Sequence, residues 1–318
     1  MNIAYDGETH RSAGGTVERV QSPVPRHKSL LARVVESQPP GEIGPRFVKG
    51  LVIGAVVVSA ITKNTNAIKA VGLGIAGGTT GDTLNSLIGH RQGAHGSIKT
   101  KPGIVNESLR FATTALGGIR MRAVAMHRYH HKHADTPLDV HAPSVHGRGE
   151  VFTNITQISD TFAHEHADYT REVMSEGPYT SPRKYENTGV MVASVIGVHM
   201  AAGKKLGLPI PHRLASAGIH SSIVYIQNAM FTADVHSDNT SNPHEIKKFG
   251  YGRAMNVIFG SEDGHAAHHE HAMNPRHSDF DAVYGTALAM RKVGLAEMPY
   301  LDHPRNHDDL TATTAPQT

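Results

Sequence analysis

The chain has 318 residues, of which 24 are histidine and none is cysteine, and its formal net charge is +3. The absence of cysteine excludes disulfides, iron–sulfur clusters and thiolate metal sites, so any metal must be held by nitrogen and oxygen ligands. The small charge is spread along the chain without a basic run, which argues against a nucleic-acid partner. The polar start, "MNIAYDGETHRSAGG", does not predict a secretory signal.

Residues 1–45 are polar and rich in proline and glycine, which predicts a poorly ordered arm. Uncharged segments follow at 50–62 and 70–81, and again at 188–203 and 214–233. The last of these matches the roughly 20 residues that cross a bilayer core. A core helix of a soluble protein would explain any one segment, whereas two adjacent pairs favour two transmembrane hairpins, at about 47–89 and 188–233. Strand signals are sparse, so we predict an all-α chain.

Two membrane hairpins would return the chain to its starting side. The polar segment 90–187 and the region after residue 234 would then lie on the same side of the membrane. This layout predicts a membrane domain at 46–285, with a C-terminal tail at 286–318.

Two histidine triplets share one spacing, i, i+3 and i+4, in "HRYHH" at 127–131 and in "HAAHH" at 265–269. Residues with this spacing lie on one face of an α-helix, with Cβ atoms roughly 5–6 Å apart. The imidazoles of each triplet are therefore expected to converge on one metal ion or on two adjacent ions. Imidazole suits zinc, copper, iron and nickel, so the ligand type does not name the metal.

A third histidine motif, "HRQGAH", places His90 and His95 five residues apart. On an unbroken α-helix these side chains would point about 140° apart. We expect Gly93 and Gly96 to end the helix and to turn His95 back toward His90.

The three motifs and their surroundings resemble the membrane-bound fatty acid desaturases, in particular the acyl-CoA desaturase branch. "HRYHHKHADTPLDVHAPSVHG" is similar to that branch's HRxHHxxxDTxxDPHSPxxG stretch, with Val140 and Ala142 replacing its proline and serine. "SEDGHAAHHEHAMNPRH" resembles its GExxHNxHHxFPxxxRH stretch. The resemblance covers about 47–280. It implies an all-α membrane protein with four transmembrane helices, arranged as two hairpins, and a cytosolic helical cap that carries a histidine-ligated di-iron site.

In that family nine histidines and one water-bridged asparagine hold two irons. The resemblance assigns eight of the nine ligands to the motifs here: His90, His95, His127, His130, His131, His265, His268 and His269. His236, just past the fourth uncharged segment, is the candidate for the ninth ligand. The family's asparagine would fall at Thr232, and the nearest asparagine is Asn228.

Four further residues are predicted to support the ligands rather than to bind metal. Asp135, Asp139 and His141 match the second motif, and Glu262 precedes the third. Carboxylates beside a metal site usually accept the free N–H of a ligating imidazole. The chain also departs from the family: it has no tryptophan, and Gly96 and Ala266 replace an arginine and an asparagine.

The resemblance implies an oxidoreductase that uses O₂ and two iron ions to insert a cis double bond into a fatty acyl chain, carried by coenzyme A or by a lipid. Two electrons per turnover would come from a separate ferredoxin, rubredoxin or cytochrome b5, and the protein would be surrounded by membrane lipid. Two alternatives stay open, a hydroxylase of a lipid, alkane or carotenoid with the same centre, and a non-catalytic metal-binding membrane protein. "DTPLDVHAPSVHG" favours desaturation.

Overall fold

The computed structural model describes residues 29–39, 42–101, 103–117, 121–134, 136, 138–175, 188–233, 236, 252–260, 268–269, 274–277 and 280–302. In these residues the only sheet is a two-stranded antiparallel one, in which β1 (Lys99–Thr100) pairs with β2 (Ala296–Glu297). All other regular structure in them is helical. The prediction of an all-α chain is therefore confirmed for this part of the molecule.

In chain order the α-helices are α1 Leu30–Ser37, α2 Ile43–Thr62, α3 Asn66–Leu84, α4 Ile104–Ala112, α5 Met121–His133, α6 Pro143–His146, α7 Arg148–Glu165, α8 Ala167–Ser175, α9 Thr188–Lys205, α10 Ile210–Ala233, α11 Gly252–Ile258, α12 Ala282–Lys292 and α13 Pro299–Asp302. Two π-helices, π1 (Asn85–Ala94) and π2 (Thr113–Gly117), continue α3 and α4.

The four uncharged segments form helices, in two hairpins. Helices α2 and α3 are joined by a tight turn in which Lys63 adopts a left-handed conformation, with φ of 51°. Helices α9 and α10 form the second hairpin, and α10 packs along the length of α3. Both hairpins are thus parts of one bundle, and the segments that carry the histidine motifs extend from it.

Glycines on one face of α3 allow its backbone to approach α10 closely. A Cβ at Gly74 would lie 2.6 Å from the Ile219 side chain, and a Cβ at Gly78 would lie 2.7 Å from the Ile223 side chain. The four-residue spacing of these glycines repeats the small-xxx-small pattern by which helices pack closely in membranes. Isoleucine side chains of α10 therefore pack directly on the glycine backbone of α3 where the two hairpins meet.

Of the helices in the described ranges, only α2 is long and apolar enough to cross a membrane, and 22% of its most apolar window is buried. Its outward side chains include Ile53 and Ile61, which are 64% and 76% exposed. Helices α3, α9 and α10 do not meet this measure; α10, for example, contains His212, Arg213 and His220. One membrane-spanning helix is therefore supported, and the predicted four-span arrangement is not shown.

Helical structure extends past both predicted domain boundaries. The part of the N-terminal arm that is described contains α1, whose Ala32 and Val35 are buried and which packs on α7. The amphipathic spacing of these apolar residues explains why a segment in a polar region folds. At the other end, α12 crosses residue 285, and Asp281 caps it by accepting a hydrogen bond from the backbone N–H of Tyr284.

Enlarging a glycine at the α3–α10 contact should destabilise the bundle. We expect Gly78→Val to lower the free energy of unfolding by about 1–3 kcal/mol, because the new side chain overlaps Ile223. Gly72→Val is the matched control, since nothing lies within 4 Å of a Cβ at that position. Denaturant unfolding of the purified protein in detergent measures the difference. Equal stability of the two variants would contradict the close packing of α3 on α10.

Candidate metal centre

Helix α5 carries the second histidine motif and directs its imidazoles to two sides. The Nε2 atoms of His127 and His131, four residues apart, lie 3.0 Å from each other. His130 lies on a neighbouring part of the helix surface and is 1% exposed. The i, i+3, i+4 spacing therefore brings the imidazoles of His127 and His131 together and directs that of His130 to a separate group of residues.

The first histidine motif converges through a π-helix, not through the helix end that the sequence predicts. The backbone N–H of His95 donates to the carbonyl of His90 at 3.3 Å, an i→i+5 bond, and the two ring centroids lie 4.9 Å apart. A π-helix aligns residues five apart, which an α-helix splays. Gly93 therefore lies inside π1, and only Gly96, with φ of 64°, follows its end.

An arginine of the second motif fixes the end of π1 against α5. The Arg128 guanidinium donates from Nε to the Ala94 carbonyl at 3.1 Å and from Nη2 to the Gly93 carbonyl at 3.0 Å. These carbonyls lie at the end of π1, where the helix no longer provides donors. Arg128 therefore holds the first and second motifs in register.

Five imidazoles from all three motifs meet at one point, with ligand nitrogens that all lie within 4.8 Å of one another. The Nε2 atom of His268 lies 3.0 Å from that of His90 and 3.2 Å from that of His131. We call this group the five-histidine cluster: His90, His95, His127, His131 and His268.

A second group lies beside it, with ligand nitrogens again within 4.8 Å of one another. We call it the three-histidine cluster: His130, His236 and His269. The His236 ring is 2% exposed, and its centroid lies 4.4 Å from that of His130 and 5.1 Å from that of His269. The two clusters are adjacent because His130 and His131 are consecutive on α5 and His268 and His269 are consecutive in the third motif.

Asp139 is fully buried and orients one ligand of the three-histidine cluster. One of its oxygens lies 2.8 Å from Nδ1 of His130, and the other accepts a hydrogen bond from the backbone N–H of His141 at 3.2 Å. A carboxylate at Nδ1 keeps the proton there and leaves the Nε2 lone pair free for a metal. His130, Asp139 and His141 also satisfy the geometry of a metal-binding group by themselves.

Burial favours the neutral form of five of the clustered imidazoles. It lowers the pKa of His95, His127, His130, His131 and His268 well below the ordinary value of 6.5, and neighbouring imidazoles lower each pKa further, since like charges repel. Only a neutral imidazole has the lone pair that binds a metal. Lowered pKa values therefore favour the metal-binding form of these five imidazoles.

The remaining predicted site residues fall into two groups. His265, Asp135 and Glu262 lie outside the described residues. Thr232 and Asn228 lie on α10, where Thr232 Oγ1 donates to the Asn228 carbonyl and Asn228 Nδ2 donates to the Val224 carbonyl, both at 2.8 Å. Both donors are thus turned toward the helix backbone, and a role in holding water at a metal stays a prediction, as does each assignment of a ligand.

His277 is a buried neighbour of the five-histidine cluster that the motif analysis does not select. It is 3% exposed, and its ring centroid lies 4.5 Å from that of His268 and 5.4 Å from that of His90. It closes the "HAMNPRH" stretch that supports the family resemblance, and this place beside the third motif is the one sequence signal that could have indicated it.

A second pair that the motif analysis does not select, His199 and His220, joins α9 to α10 inside the bundle. His199 Nε2 lies 2.9 Å from His220 Nδ1, and the outer nitrogens contact Ser216 Oγ and the Leu116 carbonyl, both at 2.8 Å. A side chain at Gly77 would overlap both rings. Hydrogen bonding to protein groups on both sides is typical of a structural pair.

A cavity of about 300 Å³ reaches the five-histidine cluster, where His90 and His127 form part of its wall. It is bounded by α5, α7, α9, α10 and the two π-helices, and along α10 its lining extends from His220 to Thr232, about 18 Å at the rise of an α-helix. Apolar side chains from the four helices contribute much of the wall: Val124, Met126, Ile155, Val192, Val195 and Val224. An elongated apolar cavity thus ends at the imidazoles.

No protein-family description matches the chain, and no curated protein matches it either. The structure by itself identifies an all-helical protein with buried histidine clusters that can hold metal ions.

Removing the charge of Asp139 should weaken metal binding. We expect Asp139→Asn to lower the affinity for a metal ion by roughly 10–100-fold, because His130 loses the carboxylate that fixes its tautomer. Asp168→Asn is the control, since that carboxylate is exposed and pairs with Arg171 on α8. Competition with a coloured chelator measures both affinities. An unchanged affinity in Asp139→Asn would exclude this role for Asp139.

The metal-free protein should lose stability as the pH falls below 6.5. In the unfolded chain these histidines bind protons as the pH falls through 6.5. In the folded chain they bind protons only at lower pH, because their pKa values are lowered. Stability that is present above pH 6.5 is therefore lost on acidification. Denaturant midpoints measured at pH 7.5 and at pH 5.5 test this loss of stability. Both pH values lie above the ordinary pKa of a carboxyl group, about 4, so protonation of aspartate and glutamate contributes little to the difference.

Two variants provide the controls for this pH dependence. His95→Gln should reduce the loss of stability between pH 7.5 and 5.5, because one buried imidazole is removed. His164→Ala should leave that loss unchanged, because His164 is exposed on α7. A midpoint that does not change between the two pH values would contradict the burial of neutral imidazoles.

Proposed function

We propose that the protein is a membrane-bound oxidoreductase of the acyl desaturase type, which uses two irons and O₂ to introduce a double bond into a fatty acyl chain. The observation that carries this proposal is the contact between the apolar cavity and the five-histidine cluster at His90 and His127. An apolar cavity with a few convergent polar groups is the usual form of a small-molecule site. Here the convergent groups are metal-binding imidazoles.

The donor set fits iron. The two adjacent clusters would hold one ion each, and neutral imidazole is a ligand that suits iron. Iron, when bound, would allow O₂ to act as the oxidant, a reaction that no protein side chain can carry out. The two electrons for each turnover would come from a separate ferredoxin, rubredoxin or cytochrome b5.

The chain's own residues would bind and orient the substrate. The apolar wall formed by Val124, Met126 and Val224 excludes water and favours a hydrocarbon chain, since burying apolar surface is favourable. Phe231 lines the cavity and packs edge-on against the His90 ring at 5.1 Å. A chain in this cavity would thus have carbon atoms beside His90 and His127. Asp139 meanwhile holds the proton on Nδ1 of His130, so that Nε2 stays available.

A membrane location is supported by the surface of the first hairpin and of α9. Large apolar side chains on α2 and α9, including Ile53, Ile61, Ile196 and Val198, are exposed to their surroundings. Contiguous exposed apolar surface marks a membrane or protein contact. We place the protein in the membrane as a multi-pass protein with the histidine motifs on the cytosolic side.

Expression in a host of defined lipid composition, followed by metal and lipid analysis, tests the function. We expect about two irons per purified chain and a new monounsaturated fatty acyl species. His268→Ala should abolish that product and lose iron, because His268 bridges the first and second motifs. His164→Ala, an exposed histidine on α7, should retain both.

Other outcomes would identify the alternatives. An alcohol in place of an alkene would identify a hydroxylase. Metal binding without O₂ consumption in the presence of reductant and a donor protein would favour a non-catalytic metal-binding protein. One zinc per chain and no iron, after growth in iron-replete medium, would contradict the di-iron proposal.

A further inference from the structure

A buried ion pair joins the first histidine motif to the segment that follows the third. Arg91 Nη1 lies 2.9 Å from Asp281 Oδ2, and the two side chains are 0% and 1% exposed. The same guanidinium nitrogen donates to the carbonyl of Pro275 at 2.7 Å. Arg91 directly follows His90 in π1, so the pair fixes Pro275 and Asp281 beside one histidine of the five-histidine cluster.

Asp281 connects three parts of the chain. Besides contacting Arg91, its Oδ2 accepts a hydrogen bond from the backbone N–H of His277 at 2.9 Å. Its Oδ1 accepts from the backbone N–H of Tyr284 at 2.7 Å and caps α12. One carboxylate therefore fixes the start of a helix, the backbone at His277 and the side chain that follows His90.

These contacts lead to the cluster through the His277 ring. That ring packs on the His268 ring with centroids 4.5 Å apart, and Nε2 of His268 lies 3.0 Å from Nε2 of His90. His268 thus lies between two groups that the ion pair controls: His277, whose backbone N–H bonds Asp281, and His90, which precedes Arg91. Loosening the ion pair would free both sides of His268.

We propose that Arg91 and Asp281 are positioning residues for the metal centre, which hold His268 in the five-histidine cluster by fixing His277 and His90 on either side of it. The proposal rests on the metal-binding part of the proposed function and does not depend on the reaction. A buried ion pair is often no more stabilising than apolar residues of similar volume, because taking two charges out of water costs about as much as their attraction returns. The role assigned to this pair is therefore geometric.

Two variants separate this geometric role from stability. Asp281→Asn keeps an oxygen that can cap α12, because asparagine is a good N-cap residue, but it removes the charge that pairs with Arg91. On its own it leaves the Arg91 cation buried, so we combine it with Arg91→Met, which removes both charges at similar volume. Asp168→Asn, in an exposed arginine–aspartate pair on α8, is the control.

The experiment measures two properties of the full-length protein in detergent. The first is the denaturant midpoint of the metal-free protein, and the second is the affinity for Fe²⁺ added without oxygen, with Co²⁺ absorption as the report on ligand number. We expect Arg91→Met/Asp281→Asn to unfold near the wild-type midpoint but to bind Fe²⁺ at least about tenfold more weakly, as loss of a supporting contact does at other metal sites. Its Co²⁺ spectrum should change, and that of Asp168→Asn should not.

The outcomes distinguish this proposal from the proposed function. If the double variant binds Fe²⁺ with wild-type affinity and an unchanged Co²⁺ spectrum, the ion pair does not position His268 and the inference is overturned. If the variant weakens Fe²⁺ binding while the wild type makes no unsaturated product, the inference stands and the proposed reaction fails. A wild-type protein that binds no metal at all would overturn both.

Discussion

The spacing of three imidazoles along α5 is the constraint on which the rest of the candidate centre depends. Because residues three and four apart share one face of an α-helix, His127 and His131 converge, while His130 beside them is directed to a second group. Each cluster then needs histidines from other segments. The first motif contributes only to the five-histidine cluster, His236 contributes to the three-histidine cluster, and the third motif contributes one neighbouring residue to each.

Local spacing explains much of what the sequence could predict. The four uncharged segments form helices, and the i, i+3, i+4 spacing brings His127 and His131 together, because both depend on residues within one or two turns. The first motif shows the limit of this reasoning. His90 and His95 converge through π-helical hydrogen bonds, and a π-helix has no sequence pattern as clear as the period of an α-helix.

Features that depend on distant residues could not be read from the sequence. Arg91 and Asp281 are about 190 positions apart, and only Arg91 lies in a histidine motif, so nothing local indicates that they form a buried ion pair. His277 is buried only because the segment before α12 folds back onto π1. The outward face of α9 is similarly indirect, since its exposed apolar side chains become apparent only when the packing of α9 against α10 is known.

Bringing the third motif onto the first closes a loop of 178 residues, between His90 and His268. Closing such a loop costs conformational entropy, and removing the polar nitrogens of several imidazoles from water adds a further cost. A metal ion bound by these nitrogens would offset both costs, because its binding energy becomes folding energy when the ligands come from distant segments. The Arg91–Asp281 ion pair closes nearly the same loop with protein groups alone. The Arg91–Asp281 contact thus lies where a metal ion would join the two ends of this loop, and it can hold the histidines together before metal binds.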